Sequence, residues 1–291
     1  MHDADLIGPT SHIFLSQRLR LHYVDWGNPG APLLVLLHGG QDHSRSWDGV
    51  ARALRRDWHV VAPDLRGHGD SEWSSDGSYN FAAYLYDFAQ FVQQLSSIPV
   101  TIVAHSLGAG IALRYTGLFP EKVRKLVAIE GIGAMPPVFA KRATRPVAEK
   151  WRDWIDERRQ VSGHAPRRYA TLDDAVARMR AANASLSEAQ IIHLTHHAVT
   201  RNEDGSWSWK FDPYVRHPAP VDIRDEDRQA LWTRIDCPVL LPWGTRSWAG
   251  NPFAIAGTAL IRDARAPSFD AGHWLHHDQF DAFMAALTDF L

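Results

Sequence analysis

The sequence predicts an α/β fold, a mostly parallel sheet with helices on both faces, and three observations carry that expectation. Short, wholly apolar runs such as Leu33–Leu37 and Val100–Ala104 have the length and composition of buried parallel strands. Segments of helical periodicity separate these runs, and such alternation is the mark of right-handed β-α-β crossovers. The rhythm stops after Glu130 and resumes near Arg228, so one α/β domain carries a long insertion.

In chain order, Arg18–Trp26 alternates as a strand, Leu33–Leu37 is a buried strand and Ser46–Leu54 reads as an amphipathic helix. His59–Ala62 is the next strand, Tyr79–Leu95 a long helix, Val100–Ala104 a strand, and Leu107–Leu118 a helix stopped by Pro120. Lys125–Ile129 returns to strand. From Ala134 to Asp225 the pattern is helical and irregular, with Pro136-Pro137 at the entrance, a Trp151/Trp154 pair and a hairpin-like stretch around Trp207 and Trp209. Arg228–Thr233 (helix), Pro238–Trp243 (strand), Phe253–Ile261 (helix), Ala266–Phe269 (strand) and Gln279–Leu291 (helix) complete the chain. The expected domains are a core of residues 1–133 and 226–291 and an inserted helical cap of residues 134–225.

Composition removes several function classes. With 45% hydrophobic and 22% charged residues in 291, the chain can bury a sizeable core. A net charge of −2 with dispersed basic residues leaves no nucleic-acid footprint. The N-terminus lacks the apolar core of a signal peptide, and no run approaches the roughly 20 residues that span a bilayer, so a cytoplasmic protein without a membrane partner is expected. The single cysteine, Cys237, excludes an intrachain disulfide and a multi-thiolate metal site; at the start of an apolar strand it reads as a core thiol.

The chemistry gathers at two strand ends. Val100-Thr-Ile-Val-Ala-His-Ser-Leu-Gly-Ala-Gly runs strand, sharp turn, helix, with Ser106 at the turn. Such a turn demands small residues two before and two after the serine, which Ala104 and Gly108 supply, and it presents the N–H of Leu107 to developing negative charge. The buried strand Leu33–Leu37 runs into His38-Gly39-Gly40-Gln41, where glycine lets backbone approach a ligand. An N–H from Gly40, or from Gln41, would be the second oxyanion donor.

At these residues the chain resembles the α/β-hydrolase superfamily. His38-Gly39-Gly40, Asp64-Leu-Arg-Gly-His-Gly-Asp-Ser71, Ala-His-Ser106-Leu-Gly, Phe119-Pro-Glu-Lys-Val and Ala271-Gly-His273-Trp-Leu-His-His-Asp stand in the family's order, and the likeness covers everything but the insertion. It implies an eight-stranded, mostly parallel sheet with a lid between strands six and seven. It also departs from the strict motif, with Ala104 in place of the first glycine. His273, in a Gly-His turn after the last strand, occupies the place of the family's catalytic histidine; His276 and His277 are weaker rivals at the start of the closing helix.

The third member of the triad is where the sequence departs most. The family's usual aspartate follows strand seven, yet that position carries Ser247, and Asp236 lies at the strand's wrong end. The superfamily's other location is directly after strand six, where a wholly apolar strand ends in Glu130. A buried carboxylate there needs a partner, and orienting the imidazole of His273 would supply one. The competing reading is that Glu130 caps the cap entrance or pairs with an arginine.

A serine at position 106 argues against the alkyl-ester chemistry of related epoxide hydrolases and dehalogenases and for acyl transfer to water. The expected function is hydrolysis of a small-molecule ester or lactone by Ser106, His273 and Glu130, with Gly40 and Leu107 as the oxyanion hole. Carbon–carbon bond hydrolases, cofactor-free oxygenases or peroxidases, and a catalytically weak ligand receptor are alternatives on the same fold. Gln41, His105, Trp151, Trp154 and Trp248 are the candidate pocket residues, and the cap tryptophans suggest an apolar group in the substrate. No cofactor and no metal are implied; His193, His196 and His197 read as one face of a cap helix.

Overall fold

A computed structural model describes residues 8–133, 141, 144–162, 166–255 and 257–291. The expected start of the cap at residue 134 and the Pro136-Pro137 entrance lie outside the described residues. Eight strands form the main sheet: β1 (Thr10–Ser16), β2 (Leu19–Asp25), β3 (Leu33–Leu37), β4 (His59–Pro63), β5 (Val100–His105), β6 (Val123–Ile129), β10 (Val239–Leu240) and β12 (Ala264–Arg265). Their order is β1-β2-β4-β3-β5-β6-β10-β12. The β1/β2 and β2/β4 pairs are antiparallel and the rest parallel, as the α/β reading requires.

The central strands are apolar throughout because both faces are covered, and side chains alternate between two cores. Leu33, Val35 and Leu37 of β3 join Ile102, Ala104, Leu126 and Ala128 on one face. There they pack under α2 (Phe81–Leu95) and α3 (Leu107–Leu118). Leu34 and Leu36 join Val103, Val127 and Ile129 on the other, under α1 (Asp48–Leu54) and the C-terminal helix Phe280–Phe290. Helix α3 is buried nearly all round. Its Gly117 cannot be larger, since a Cβ there would lie 2.4 Å from the carbonyl of Leu231.

Three local expectations are corrected. Arg18 is not a strand residue: Gln17 (φ 48°) and Arg18 (φ 67°) form the two-residue turn of a β1/β2 hairpin, in the conformation that usually selects Asn-Gly. Without those residues, and with β1 mostly exposed, the first strand left no pattern to read. The strands expected at Pro238–Trp243 and Ala266–Phe269 are interrupted: β11 (Trp243–Gly244) and β13 (Ser268–Phe269) form a separate parallel pair. Pro242 and Pro267, which have no N–H to give the ladder, stand just before β11 and β13. The helix expected at Phe253–Ile261 is two 3-10 turns, Pro252–Ala254 and Thr258–Leu260, parted at Gly257, whose φ of 89° no right-handed helix permits.

Between β6 and β10 lie α4 (Val147–Ser162), β7 (Arg168–Tyr169), α5 (Leu172–Ala182), α6 (Glu188–Ala198), β8 (Val199–Arg201), β9 (Trp207–Trp209) and the 3-10 turn Pro213–Arg216. Reciprocal capping boxes, Thr171 with Asp174 and Ser187 with Gln190, start α5 and α6. β8 and β9 form the hairpin expected around Trp207 and Trp209, and β7 adds to it. This segment is tied to the sheet by the Tyr79 hydroxyl on Asp212 (2.5 Å), Trp73 Nε1 on the Lys210 carbonyl (2.8 Å) and His43 Nε2 on the Leu194 carbonyl (3.1 Å). Among the described residues no helix is long and apolar enough to cross a membrane.

The interior holds an uncommon load of histidine: His38, His43, His68, His105 and His276 are all buried. Burial disfavours the charged imidazolium, lowering His43 and His68 to about 3 and the other three below the ordinary value as well. A lowered folded-state affinity for protons makes stability complete above the unfolded histidine value of 6.5 and progressively lost as pH falls below it. The urea midpoint should therefore drop steadily from pH 7 to pH 5; a flat profile across that window would contradict neutral burial of these rings.

Candidate active site

Loops from five strand ends converge on the carboxyl edge of the sheet, where open α/β sheets place their sites. Ser106 sits between β5 and α3 at φ 52°, ψ −114°, a backbone conformation that costs about 1–3 kcal/mol and is over-determined by its surroundings. Its N–H donates to the Ile129 carbonyl at 2.9 Å. A Cβ on Gly108 would lie 2.4 Å from the carbonyl oxygen of His38 and 2.7 Å from that of Leu37, which is why the position must be glycine. Ala104 is completely buried.

The loop after β3 lies against this turn. A Cβ on Gly39 would meet His105 Nδ1 at 2.8 Å and Ser106 Cβ at 3.2 Å; one on Gly40 would touch Leu107 Cδ2 at 3.9 Å. Among the described residues, the N–H groups of Gly40, Gln41 and Leu107 donate to no acceptor. Beneath the loop, His38 Nδ1 donates to the Gly39 carbonyl and Nε2 accepts from Leu65 N–H. Gln41 is also left-handed (φ 61°), and its Oε1 accepts from Arg216 Nε at 2.7 Å.

His273, on the loop after β13, places Nε2 2.9 Å from Ser106 Oγ and Nδ1 3.1 Å from Glu130 Oε2. Glu130 ends β6 at φ 53° with its side chain wholly buried. Its charge is met by three donors: Gly244 N–H on Oε1 (2.6 Å), Ser247 Oγ–H on Oε2 (2.5 Å) and the His273 ring. A carboxylate accepting at Nδ1 fixes the proton there and leaves Nε2 free to accept from the Ser106 hydroxyl. Ser247, standing where the sequence lacks the expected aspartate, thus donates to the carboxylate on the neighbouring strand. Its residue type had marked the missing acid; its role as donor had not been legible.

The pocket candidates divide. The Trp248 ring lies 4.6 Å from that of His273 and is partly exposed beside it. His105 is not a pocket residue: it is buried, packs on the rings of His273 (4.7 Å) and His276 (4.6 Å), and donates from Nε2 to the His273 carbonyl at 2.9 Å. Strand alternation turns it inward, under the loop that carries His273. Trp151 and Trp154 pack on each other at 5.4 Å, with Trp154 Nε1 on the His217 carbonyl, and no described contact joins them to Ser106, Glu130 or His273. The rivals His276 and His277 lie on the short helix Leu275–Asp278, with His276 buried against Trp47.

Among the described residues, two side-chain groups have metal-ligating composition, Asp48 with His193 and His197, and His22 with Asp64 and Asp70. Both carboxylates at their centres are already engaged. Asp48 accepts Arg45 through Nε and Nη2 and faces His193 at 3.3 Å; Asp64 accepts His22 Nδ1 and the N–H groups of Ser44 and Asp70. Burial opposes the Asp64 charge, yet the His22 hydrogen bond and nearby imidazoles hold its carboxyl below the usual range.

The model of the alpha/beta hydrolase fold matches residues 32–280, and the chain belongs to that family of hydrolases. A serine hydrolase-like protein of Danio rerio is 31% identical over 278 residues, 91% of this chain and 83% of its own length. An uncharacterized Mycobacterium tuberculosis protein is 37% identical over 107 residues, 37% of this chain; the match spans about a third (31%) of that relative's length. Among solved structures, the thioesterase domain from the curacin biosynthetic pathway superposes with a TM-score of 0.81 at 22% identity, covering 97% of this chain and all of that domain, a likeness of fold.

Asp42, which sequence reasoning passed over, anchors the loop after β3: Oδ1 accepts from His43 N–H and Oδ2 from Ser46 Oγ. Burial pushes its carboxyl up from 3.8 to about 7, against the pull of those two donors. A raised folded-state value means its contribution is complete below the ordinary carboxylate range and lost as pH rises through about 7. Asp42→Asn, neutral throughout, should gain a few degrees in Tm relative to the natural protein between pH 5 and pH 8. A difference that does not change with pH would show that Asp42 is ionised across the whole range.

Proposed function

We propose that the protein is a serine hydrolase that cleaves a carboxylic ester or lactone through an acyl-enzyme on Ser106. The observation that carries this reading is the unbroken line from Ser106 Oγ through both nitrogens of His273 to the buried carboxylate of Glu130, beside N–H groups with nothing to donate to. Ser106 Oγ attacks the carbonyl carbon as His273 Nε2 takes the hydroxyl proton. The tetrahedral oxyanion is held by the N–H groups of Leu107 and Gly40 and by the N-terminus of α3. Collapse expels the alkoxide, which receives the proton from His273, and leaves the acyl group on Ser106.

Water then repeats the sequence. His273 takes its proton, hydroxide adds to the acyl carbon, and Ser106 leaves as the alcohol, so ester and water become acid and alcohol with no other reactant. Glu130 stabilises the imidazolium in both halves without accepting the proton itself. Residues 134–225 form the cap, and Trp248 lines the substrate pocket against His273. Support for ester chemistry over alkyl-ester chemistry comes from the nucleophile, since a serine forms an ester with an acyl group.

A fluorophosphonate should label Ser106 alone by peptide mapping, and p-nitrophenyl esters should be turned over. Labelling without turnover of any ester in a chain-length series would replace ester hydrolysis by another reaction on the same serine. No labelling would remove Ser106 as nucleophile. Ser106→Ala should lose on the order of a millionfold in kcat, as when a triad acts as a unit. Glu130→Gln should keep the natural Tm within a few degrees yet lose on the order of ten-thousandfold in kcat, because the imidazole is left in the wrong tautomer. A Glu130→Gln protein of natural activity would take Glu130 out of the mechanism.

A further inference from the structure

One side-chain cluster outside the proposed mechanism joins the inserted segment to the core. Asp48 opens α1 and is 2% exposed, while His193 and His197 lie four residues apart on α6, the spacing that puts two side chains on one helix face. One ligand atom from each of the three lies within 4.8 Å of the others. The two rings meet edge to face with centroids 4.8 Å apart, and His193 Nε2 stands 3.3 Å from Asp48 Oδ2. His196, on the same helix, is exposed and outside the group.

That 3.3 Å separation suits a small coordination sphere, because ligands about 2.0–2.1 Å from a tetrahedral ion lie about 3.4 Å from one another. Two imidazoles and a carboxylate are a donor set for divalent transition ions such as zinc, nickel and copper, whereas calcium and magnesium take oxygen. A pair of histidines four apart on a helix is the chelate found in zinc-binding helices. His197 is partly buried, and among the described residues neither of its ring nitrogens makes a hydrogen bond. His193 Nε2 also lies 3.1 Å from the Arg45 carbonyl, so an ion held by that nitrogen would stand in place of its proton.

The surrounding charges set the strength of such a site. Asp48 accepts Arg45 through Nε and Nη2, and Arg52 Nη2 lies 3.6 Å from Oδ2. A carboxylate has about four lone-pair positions, so these contacts leave it able to coordinate. The two guanidinium charges nevertheless repel a divalent ion and weaken its binding. Removing one of them should therefore tighten it.

We propose that Asp48, His193 and His197 form a binding site for a divalent transition ion that fastens α6 of the inserted segment to α1 of the core. The junction is already made by hydrogen bonds, His43 Nε2 to the Leu194 carbonyl and Gln190 Nε2 to the His277 carbonyl, and an ion would add bonds across it. None of the three residues belongs to the line of Ser106, His273 and Glu130, so the site stands independently of the reaction proposed above.

Calorimetric titration of zinc chloride into the full chain, first dialysed against a chelator, should show one ion bound per chain at micromolar concentration. The same addition should raise Tm by several degrees, since an ion that binds only the folded state stabilises it. His193→Gln and His197→Gln should each weaken binding about tenfold or more, as removal of a ligand requires, while His196→Gln leaves it unchanged. Arg45→Gln should tighten it. Cobalt(II) makes the comparison spectroscopic: intense visible bands should appear with the natural protein and be absent when both histidines are replaced.

No zinc binding at submillimolar concentration would overturn the site. Equal binding by the natural protein and both single variants would put the zinc on others of the 16 histidines and overturn it as well. So would a loss of the same size in His196→Gln, which would reduce the effect to chelation by an exposed helix face, or an Arg45→Gln protein of unchanged affinity, which would remove Asp48 as a ligand. Should His193→Gln fail to fold, His197→Gln, whose ring makes no hydrogen bond, carries the same comparison.

Discussion

Glu130 is a carboxylate that follows the apolar stretch Leu126–Ile129 of β6, and the arrangement of the site follows from what its burial demands. An unpaired ion there would cost several kcal/mol. The chain meets that cost with donors from three separate places: the backbone of β11, the hydroxyl of Ser247 and the ring of His273. Each donor is thereby fixed in space. The β11 strand end is held against β6, the turn after it is held by Ser247, and the last loop is held where its imidazole reaches Ser106. Satisfying one buried charge therefore assembles the elements that the proposed chemistry needs.

Backbone strain marks the same places. Of the non-glycine residues with left-handed backbone among those described, Ser106 and Glu130 each directly follow a central parallel strand, and Gln41 lies further along the loop after β3. A chain leaving a parallel strand for a helix on one face must turn sharply, and the tightest turns push the first residue out of the strand region. Close approach then excludes side chains nearby, which is the reason for glycine at Gly108, under the carbonyls of Leu37 and His38. The strain is offset by hydrogen bonds at each position, Arg216 to Gln41, Ser106 N–H to Ile129, and the donors on Glu130.

Histidine burial gives the site its second layer. His105 and His276 carry no charge at neutral pH because no carboxylate compensates their desolvation; the ring of His105 packs at a tilt on that of His273, and the ring of His276 packs on that of His105. His105 adds one directional contact, the hydrogen bond to the carbonyl of His273 itself. His273 is thus oriented from two sides, at the ring by Glu130 and at the backbone by His105. Two further contacts come from elsewhere in the chain: the ring of Trp248, in the loop after β11, lies 4.6 Å from that of His273, and Arg216 donates to Gln41 in the loop after β3.

How much of this the sequence determined follows the range of the forces involved. Leu33–Leu37 and Leu107–Leu118 were legible to the residue, because a fully buried strand and a helix packed on all sides write continuous patterns into the chain. Ser106, with small residues spaced around it, and Glu130, a charge closing an apolar strand, were legible for the same reason: each violates its local pattern in a way that needs an explanation. The Gln17–Arg18 turn was not, since its left-handed conformation is imposed by the pairing of β1 with β2 and opposed by the residues themselves. Nor could the sequence say that His105 turns under His273 while Trp248 stands beside it, that Trp151 and Trp154 pack on each other, or that Arg216 reaches Gln41. Those contacts join residues far apart along the chain. Local periodicity records which side of an element is buried, while the partner it meets there is decided only when the sheet's order and register bring distant strand ends to one edge.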